Sequence, residues 1–379
     1  MTTKAAGAMF MAPGKNVLFL QRADSGQWAF AGGHIEEGET ACEAACREVF
    51  EETCCAVEEK YCRPWVRTCA DYGWGEVDFT TFLVEVKNAF APILCNEHVA
   101  YRWAPYDAPP VPLHPGCEIA LARAGPDWTE LHTAAAIAAD KLCSPQGYEN
   151  ITFFLVRVTG TGGAFRHEKK DAEGNVVRAE EVVWRDPSLY LTEEFLERCK
   201  GLPVILEHPA NDTLDSREYK KRNIGSLMCP HIRNEEVWAV ARVLDDGAAA
   251  LMARKQLSTS PAVQWRDLAE TEEDKLSNGT KYLIETKPHL LDHLAICWQG
   301  VWDKGGEPAG IVSSDVNSTS RGDSIMPMTP EQLETFMTEQ RNDSARIAKT
   351  LESFTTLLTS VNSRLDSVDE RFKLEDAKR

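Results

Sequence analysis

Two short apolar runs, residues 5–12 and 17–20, open the chain on either side of Pro13-Gly14-Lys15. Runs of this length flanking a Pro-Gly turn predict a β-hairpin. From about residue 39 to 53 the rhythm changes. Ala41, Ala44, Ala45 and Val49 recur at three- and four-residue steps among charges, the spacing of a helix lying against a sheet. Strands are predicted again at residues 77–86 and 101–104, so the first region is α/β. A proline-rich stretch, 105–115, and an alanine-rich helical segment, 128–142, lead to a boundary near Ser144-Pro145-Gln146-Gly147. Beyond it, strand candidates at 152–158, 204–206, 237–243 and 282–285 alternate with helix-like segments at 192–200 and 248–255. This pattern predicts a mixed α/β domain, mainly β.

The C-terminal part differs in kind. From about 309 to 327 the sequence turns to Ser, Asn, Gly and Asp, which bury too little apolar area to order themselves, and a linker is expected. Thr329-Pro330-Glu331-Gln332 then supplies an N-cap, a proline at the first helical position and a capping-box partner. Ile347, Leu351, Phe354, Leu358, Val361, Leu365, Val368 and Phe372 alternate steps of four and three, the heptad rhythm of a coiled coil. Self-association through this tail is the expectation; the competing arrangement is one amphipathic helix packed back on the protein. The expected organisation is therefore 1–125, a connecting segment 126–145, a second domain 146–312, a flexible linker 313–327 and a coiled-coil tail 328–379.

Bulk properties narrow the function. A chain of 379 residues exceeds one ordinary core, and 43% hydrophobic with 26% charged residues is a globular composition. No apolar run approaches the roughly 18 residues that span a bilayer, so no membrane partner is expected. A net charge of -18 opposes a phosphate backbone, so duplex nucleic acid is not an expected partner. Small phosphorylated ligands remain accessible through a bound cation. The 12 cysteines are scattered without C-x-x-C spacing or a secretory signal, which predicts reduced thiols in a cytoplasmic compartment. Cys42 and Cys46 lie four apart on the predicted helix, and adjacent Cys54-Cys55 do not readily chelate one metal. No zinc site is expected from these four.

Chemistry concentrates between Gly33 and Cys55, in GHIEEGETACEAACREVFEETCC. Glu48, Glu51 and Glu52 stand at i, i+3 and i+4, so a helix puts three carboxylates on one face. Their mutual repulsion is unfavourable unless a hard cation such as Mg²⁺ or Mn²⁺ is bound; the other reading is a solvated acidic face. The whole segment resembles the Nudix box: Gly, five residues, Glu, seven residues, then Arg-Glu-apolar-x-Glu-Glu-x-Gly-apolar. The resemblance covers roughly the first 125 residues. It implies an α/β/α sandwich and a metal-dependent hydrolase that cleaves a diphosphate linkage in a nucleotide-like substrate. By that resemblance Glu48, Glu51 and Glu52 hold Mg²⁺ or Mn²⁺ with the carbonyl of Gly32, and one of them helps deprotonate water. Arg47 and Glu39 orient the helix and the loop that starts at Gly33. Glu97 resembles the acidic residue that many members place on a later loop as an extra ligand or base. One position departs from the pattern, because Cys54 replaces the motif's second glycine. If that position is left-handed, a side chain there costs roughly 1 kcal/mol, though no metal ligand is lost.

In the second region three residues stand out, His208, Ser258 and His293, because a serine needs a base and the base an orienting partner. Unrelated core and surface residues are the alternative. Residues 151–312 resemble a tailed-phage family distantly similar to capsid-maturation (prohead) serine proteases of the assemblin type. The matching stretches are Gly201-Leu202-Pro203-Val204 leading to His208, Asn223-Ile224-Gly225, Leu257-Ser258 and His293-Leu294-Ala295-Ile296. That resemblance implies His208 as base, Ser258 as nucleophile with Ser260 competing, and His293 as orienting residue. It also implies phage capsid proteins as partners, a scaffold role for the tail, and the host cytoplasm or prohead interior as location. The alternative is a non-catalytic capsid assembly or scaffold protein carrying a degenerate Nudix module.

Overall fold

The computed structural model describes residues 2–71, 75–166, 169–170, 176–178, 181–209, 211, 213–266, 272–275, 281–304 and 306–313. The expected coiled-coil tail and the linker beyond Ser313 lie outside them, and the first residues of the stretch expected to be linker, 309–313, are ordered: Ile311–Val312 form a strand and Ile311 is buried.

The N-terminal sheet is built from β1 (Thr3–Ala12), β2 (Asn16–Arg22), β3 (Trp28–Ala29), β4 (Ala31–His34), β5 (Arg63–Asp71), β6 (Glu76–Glu85) and β7 (His98–Pro105). Its order is β3-β2-β1-β6-β5, with β4 on β1 and β7 on β2; β1 and β6 run parallel and the other pairs antiparallel. Both faces of β1 are buried, which is why its sequence is a nearly unbroken apolar run. Ala6, Ala8 and Phe10 point to one side, with Ala44, Ala45 and Val49 of helix α1 (Ala41–Thr53). Met9 points to the other, against Ala120 and Leu121 of α2 (Glu118–Ala124) and Ile137 of α3 (Glu130–Ala138). A sheet between helices on both faces follows from this alternation. The expected hairpin and first helix are present. The helical segment expected at 128–142 is the shorter α3, and α2, which the pattern does not predict, precedes it beyond a break at Gly125 and Pro126.

The second region contains β8 (Gln146–Tyr148), β9 (Ile151–Thr159), β10 (Gly162–Arg166), β11 (Lys169–Lys170), β12 (Val176–Arg178), β13 (Glu181–Arg185), α4 (Pro187–Tyr190), α5 (Glu193–Cys199), β14 (Pro203–Leu206) and α6 (Ser216–Arg222). It continues with β15 (Asn223–Arg233), β16 (Glu236–Val243), α7 (Asp246–Arg254), β17 (Ser258–Gln264), β18 (Glu272–Lys275), β19 (Lys281–Glu285), β20 (Leu290–Cys297) and β21 (Ile311–Val312). Eight strands form one sheet ordered β17-β20-β14-β15-β16-β9-β21 with β8 on β9; a four-stranded sheet, β10-β13-β19-β18, and the β11-β12 pair complete the β structure. Mixed α/β with mostly strands is the observed class.

The junction near residue 144 is not a free tether. On β9, Phe154, Val156 and Val158 enter the core of the second region, while Ile151, Phe153 and Leu155 join the cluster that holds Met9 and Phe19 of the first. Gln146 Nε2 donates to the Arg67 carbonyl (2.6 Å), and the Ser144 hydroxyl donates to the Val312 carbonyl (2.5 Å). Cys69 and Cys143 form a disulfide with Cα atoms 5.6 Å apart. This corrects the expectation that all thiols are reduced: the bridge joins residues 74 apart, a partnership no local spacing reveals.

Candidate functional site

Helix α1 starts where the sequence supplies a reciprocal cap. The Thr40 hydroxyl accepts from Glu43 N–H (3.2 Å), and the Glu43 carboxylate accepts from Thr40 N–H (2.8 Å). It ends at Cys54 in the left-handed conformation (φ 55°, ψ 19°), with its N–H donated to the Phe50 carbonyl. The position that the Nudix box fills with glycine is left-handed in this chain, and a cysteine side chain occupies it.

Two close approaches bring the loop ahead of α1 onto the sheet and the helix. In the β1-β4 pair Gly7 stands opposite Gly32, and a Cβ on Gly32 would meet Gly7 Cα at 2.6 Å. A Cβ on Gly33 would lie 2.5 Å from Glu48 Oε1, so only glycine lets that carboxylate rest on the strand.

Arg47 organises the acidic groups. Its Nε and Nη2 bond both oxygens of Glu39 (2.8 and 3.0 Å), Nη1 bonds Glu48 (2.9 Å) and Glu51 (3.2 Å), and Nη2 also reaches the His34 carbonyl (2.9 Å). Hydrogen bonding to Arg47 holds the Glu39 carboxyl, which is half-buried, below its ordinary value. Glu52, 5% exposed, accepts from Gly32 N–H at 3.1 Å. Burial pushes its carboxyl up to about 8, against an ordinary 4.5; the charges of Glu48 and Glu97 add to this, and the Gly32 bond and Arg22 oppose it. Burial likewise raises Glu48, with the Arg47 hydrogen bond opposing. Glu51 is half exposed, and Glu97 is exposed, its backbone carbonyl accepting from Ala23 N–H (2.8 Å). A buried carboxylate crowded by like charges, offering hard oxygen donors beside a strand of glycines, fits Mg²⁺ or Mn²⁺.

A cleft of about 350 Å³ opens next to this cluster, lined among others by Arg22, Phe30, Gly32, Gly33, Phe79 and His114. Arg22, paired with Asp24 at 2.7 Å, is the cation between cleft and carboxylates. His114 reaches the cleft because the proline-rich stretch runs along β3: Trp28 N–H donates to the Pro112 carbonyl and His114 N–H to the Trp28 carbonyl, both 2.8 Å. Neither Arg22 nor His114 had a signal in the sequence, since each sits in a stretch whose neighbours are set only by strand pairing.

The second region brings together two of its three candidates. His208 Nδ1 lies 2.8 Å from His293 Nε2, and His293 Nδ1 lies 2.6 Å from Asp292 Oδ2, which also accepts from Leu214 N–H (2.9 Å). His293 is fully buried and His208 half-buried. Ser258 is elsewhere. Its hydroxyl is fully buried and donates to Asp303 Oδ1 (2.7 Å), a carboxylate that also pairs with Arg157 and accepts from Gly300 and Ala309 N–H. Asp292 was missed, although it is adjacent in sequence to His293.

Residues 1–121, about a third of the chain, match the family model described as NUDIX domain. Among solved structures, the chain is similar to a MutT NUDIX hydrolase from Burkholderia pseudomallei (23% identity over 33% of this chain and 99% of that one, TM-score 0.30). It is also similar to an Ap4A hydrolase of C. elegans (20% identity, 35% and 91%, TM-score 0.26). A third is a MutT/nudix family protein from Enterococcus faecalis (18% identity, 27% and 43%, TM-score 0.26), less than half of whose length is spanned. No helix among the described residues is long and apolar enough to cross a membrane.

Proposed function

We propose that the Nudix domain, residues 1–125, hydrolyses a diphosphate linkage in a nucleoside diphosphate derivative, using Mg²⁺ or Mn²⁺ held by Glu48, Glu51, Glu52 and the Gly32 carbonyl. The observation that carries this reading is the Arg47 clamp. One guanidinium ties Glu39, Glu48 and Glu51 to the loop carbonyl of His34, while Glu52 is fixed to Gly32 at the mouth of the cleft. When bound, the cation neutralises the diphosphate and acidifies the attacking water. The chain's own groups do the rest: Arg22 faces the phosphates, Phe30 and Phe79 offer apolar surface to the nucleoside, and one glutamate, with Glu97 at hand, takes the proton of water. Full-length protein with Mg²⁺ is expected to release phosphate or nucleotide from a panel of dinucleoside polyphosphates, nucleotide sugars and nucleoside triphosphates, and Glu51→Gln to abolish it. No turnover on any of them would favour the alternative of an assembly protein with a degenerate Nudix module, self-associating through residues 328–379.

A second reading concerns the second region, and the His208-His293-Asp292 chain is what favours it. A half-buried imidazole held by a buried imidazole, itself held by a carboxylate, is the base-and-orienter part of a serine hydrolase relay. In this reading Ser260 is the nucleophile, since Ser258 is committed to Asp303. The prohead-protease role, with capsid proteins as partners and the host cytoplasm or prohead interior as location, rests on it. A fluorophosphonate probe is expected to label wild type and Ser258→Ala but not Ser260→Ala. Labelling that survives Ser260→Ala, or none in wild type, removes the relay.

A further inference from the structure

We propose that Cys42, Cys46 and Cys62 form a binding site for one Zn²⁺ ion, separate from the glutamate cluster. Cys42 and Cys46 are one turn apart on α1, and Cys62 follows the short 3₁₀ turn Glu59–Tyr61 that leads into β5. Their sulfur atoms all lie within 4.8 Å of one another, Cys46 and Cys62 at 3.5 Å. All three are half-buried and none is in a disulfide. Tetrahedral zinc with bonds of about 2.3 Å to sulfur places its thiolates roughly 3.8 Å apart, so the cluster needs only sub-ångström adjustments around an ion. Three thiolates select a soft, tetrahedral cation over Mg²⁺. Cys46 borders an open cleft, through which a water molecule reaches the fourth position of the tetrahedron. The third sulfur, Cys42, lies 3.9 Å from the Glu59 carbonyl at the start of the turn that carries Cys62.

At 100° per residue, Cys42 and Cys46 share one flank of α1 while Glu48 and Glu52 lie on the other side. Zinc there would pin the helix that carries the glutamates to the turn entering β5. The expectation of no zinc site considers only Cys42, Cys46, Cys54 and Cys55; the third sulfur comes from 16 residues downstream of Cys46, across a turn.

The test uses full-length, freshly reduced protein with excess Mg²⁺ to fill the glutamate site. One equivalent of Co²⁺ should give a thiolate-to-cobalt charge-transfer band, which Zn²⁺ abolishes and Cys62→Ser eliminates, while Cys54→Ser, a thiol outside the cluster, retains it. Should Cys62→Ser fail to fold, alkylation of the wild-type chain decides: one equivalent of Zn²⁺ should protect Cys42, Cys46 and Cys62 from N-ethylmaleimide, as mapped by peptide mass. The absence of a band in wild type, a band undiminished in Cys62→Ser, equal alkylation with and without Zn²⁺, or a Cys46–Cys62 disulfide formed in the presence of Zn²⁺ would each overturn the proposal.

Discussion

Removing divalent metal should expose a stability penalty that grows with pH and originates at Glu52. Its carboxyl is held at about 8 in the folded chain against an ordinary 4.5, with burial as the main cause. At about 1.4 kcal/mol per pK unit, ionising it in place costs roughly 5 kcal/mol without a cation. The sign follows from proton counting. Between about 4.5 and 8 the folded chain keeps a proton that the unfolded chain has lost, so stability is level below this window, falls as pH rises through it, and levels off above about 8. Glu48, also raised, adds to the fall. Glu39 and Glu43 act in the opposite sense: hydrogen bonds to Arg47 and to the Thr40 backbone hold them below their ordinary value, so their contribution disappears as pH falls into the acid range.

Urea unfolding of the full chain at pH 5, 6, 7 and 8, in EDTA and in Mg²⁺, separates these contributions when wild type is compared with Glu52→Gln. In EDTA the variant should gain on wild type by up to about 1.4 kcal/mol per pH unit across the window, approaching roughly 5 kcal/mol. In Mg²⁺ the slope should shrink, because the cation stabilises the ionised form. A difference between wild type and variant that stays flat from pH 5 to 8 in EDTA would refute the assignment of a desolvated carboxyl to this position.

Two further perturbations have magnitudes set by geometry. Cys54→Gly relieves a side chain in the left-handed region at the end of α1 and should stabilise the chain by about 1 kcal/mol in chemical denaturation; no gain would mean that the Cys54 side chain repays its strain through contacts. Opening the Cys69–Cys143 bridge, by reductant or by Cys143→Ser, frees a loop spanning 74 residues of sequence and should cost about 4 kcal/mol in the same assay; an unchanged unfolding midpoint would show that the packing of β9 against the first region already fixes the junction.

What was legible in the sequence was local. The hairpin of β1 and β2 and the helix α1 follow from periodicity and turn residues, because each is decided within a dozen neighbours. β15, eleven residues long, does not follow from periodicity, since Gly225 and Pro230 interrupt its pattern, and only the resemblance at Asn223-Ile224-Gly225 implies a strand after it; the sheet accommodates the interruptions with a register shift between Met228 and His231, where Cys229 takes a positive φ. β17 was missed for a related reason. Pro261 argues against a central strand, and β17 lies at the edge of its sheet, where the missing N–H is tolerated. The cysteine partnerships, Cys69 with Cys143 and Cys62 with Cys42 and Cys46, cross from one element to another and left no spacing to read.

The same distinction explains why the two candidate sites fared differently. The residues from Gly33 to Glu52 sit on one strand, one loop and one helix, so the i, i+3, i+4 rule already places the glutamates together and the structure adds only their partners. The relay in the second region depends instead on the register of two strands. In the antiparallel β17-β20 pair His293 stands opposite Ala262, Ser260 opposite Ala295 and Ser258 opposite Cys297. Residues two apart on a strand share a face, so Ser260 is one diagonal step from His293, roughly 7 Å, whereas Ser258 is four residues along, roughly 13 Å away. Chain order alone treats the two serines as equals. Register separates them, and it leaves Ser258 to the buried carboxylate of Asp303, where a hydroxyl satisfies an acceptor that water does not reach.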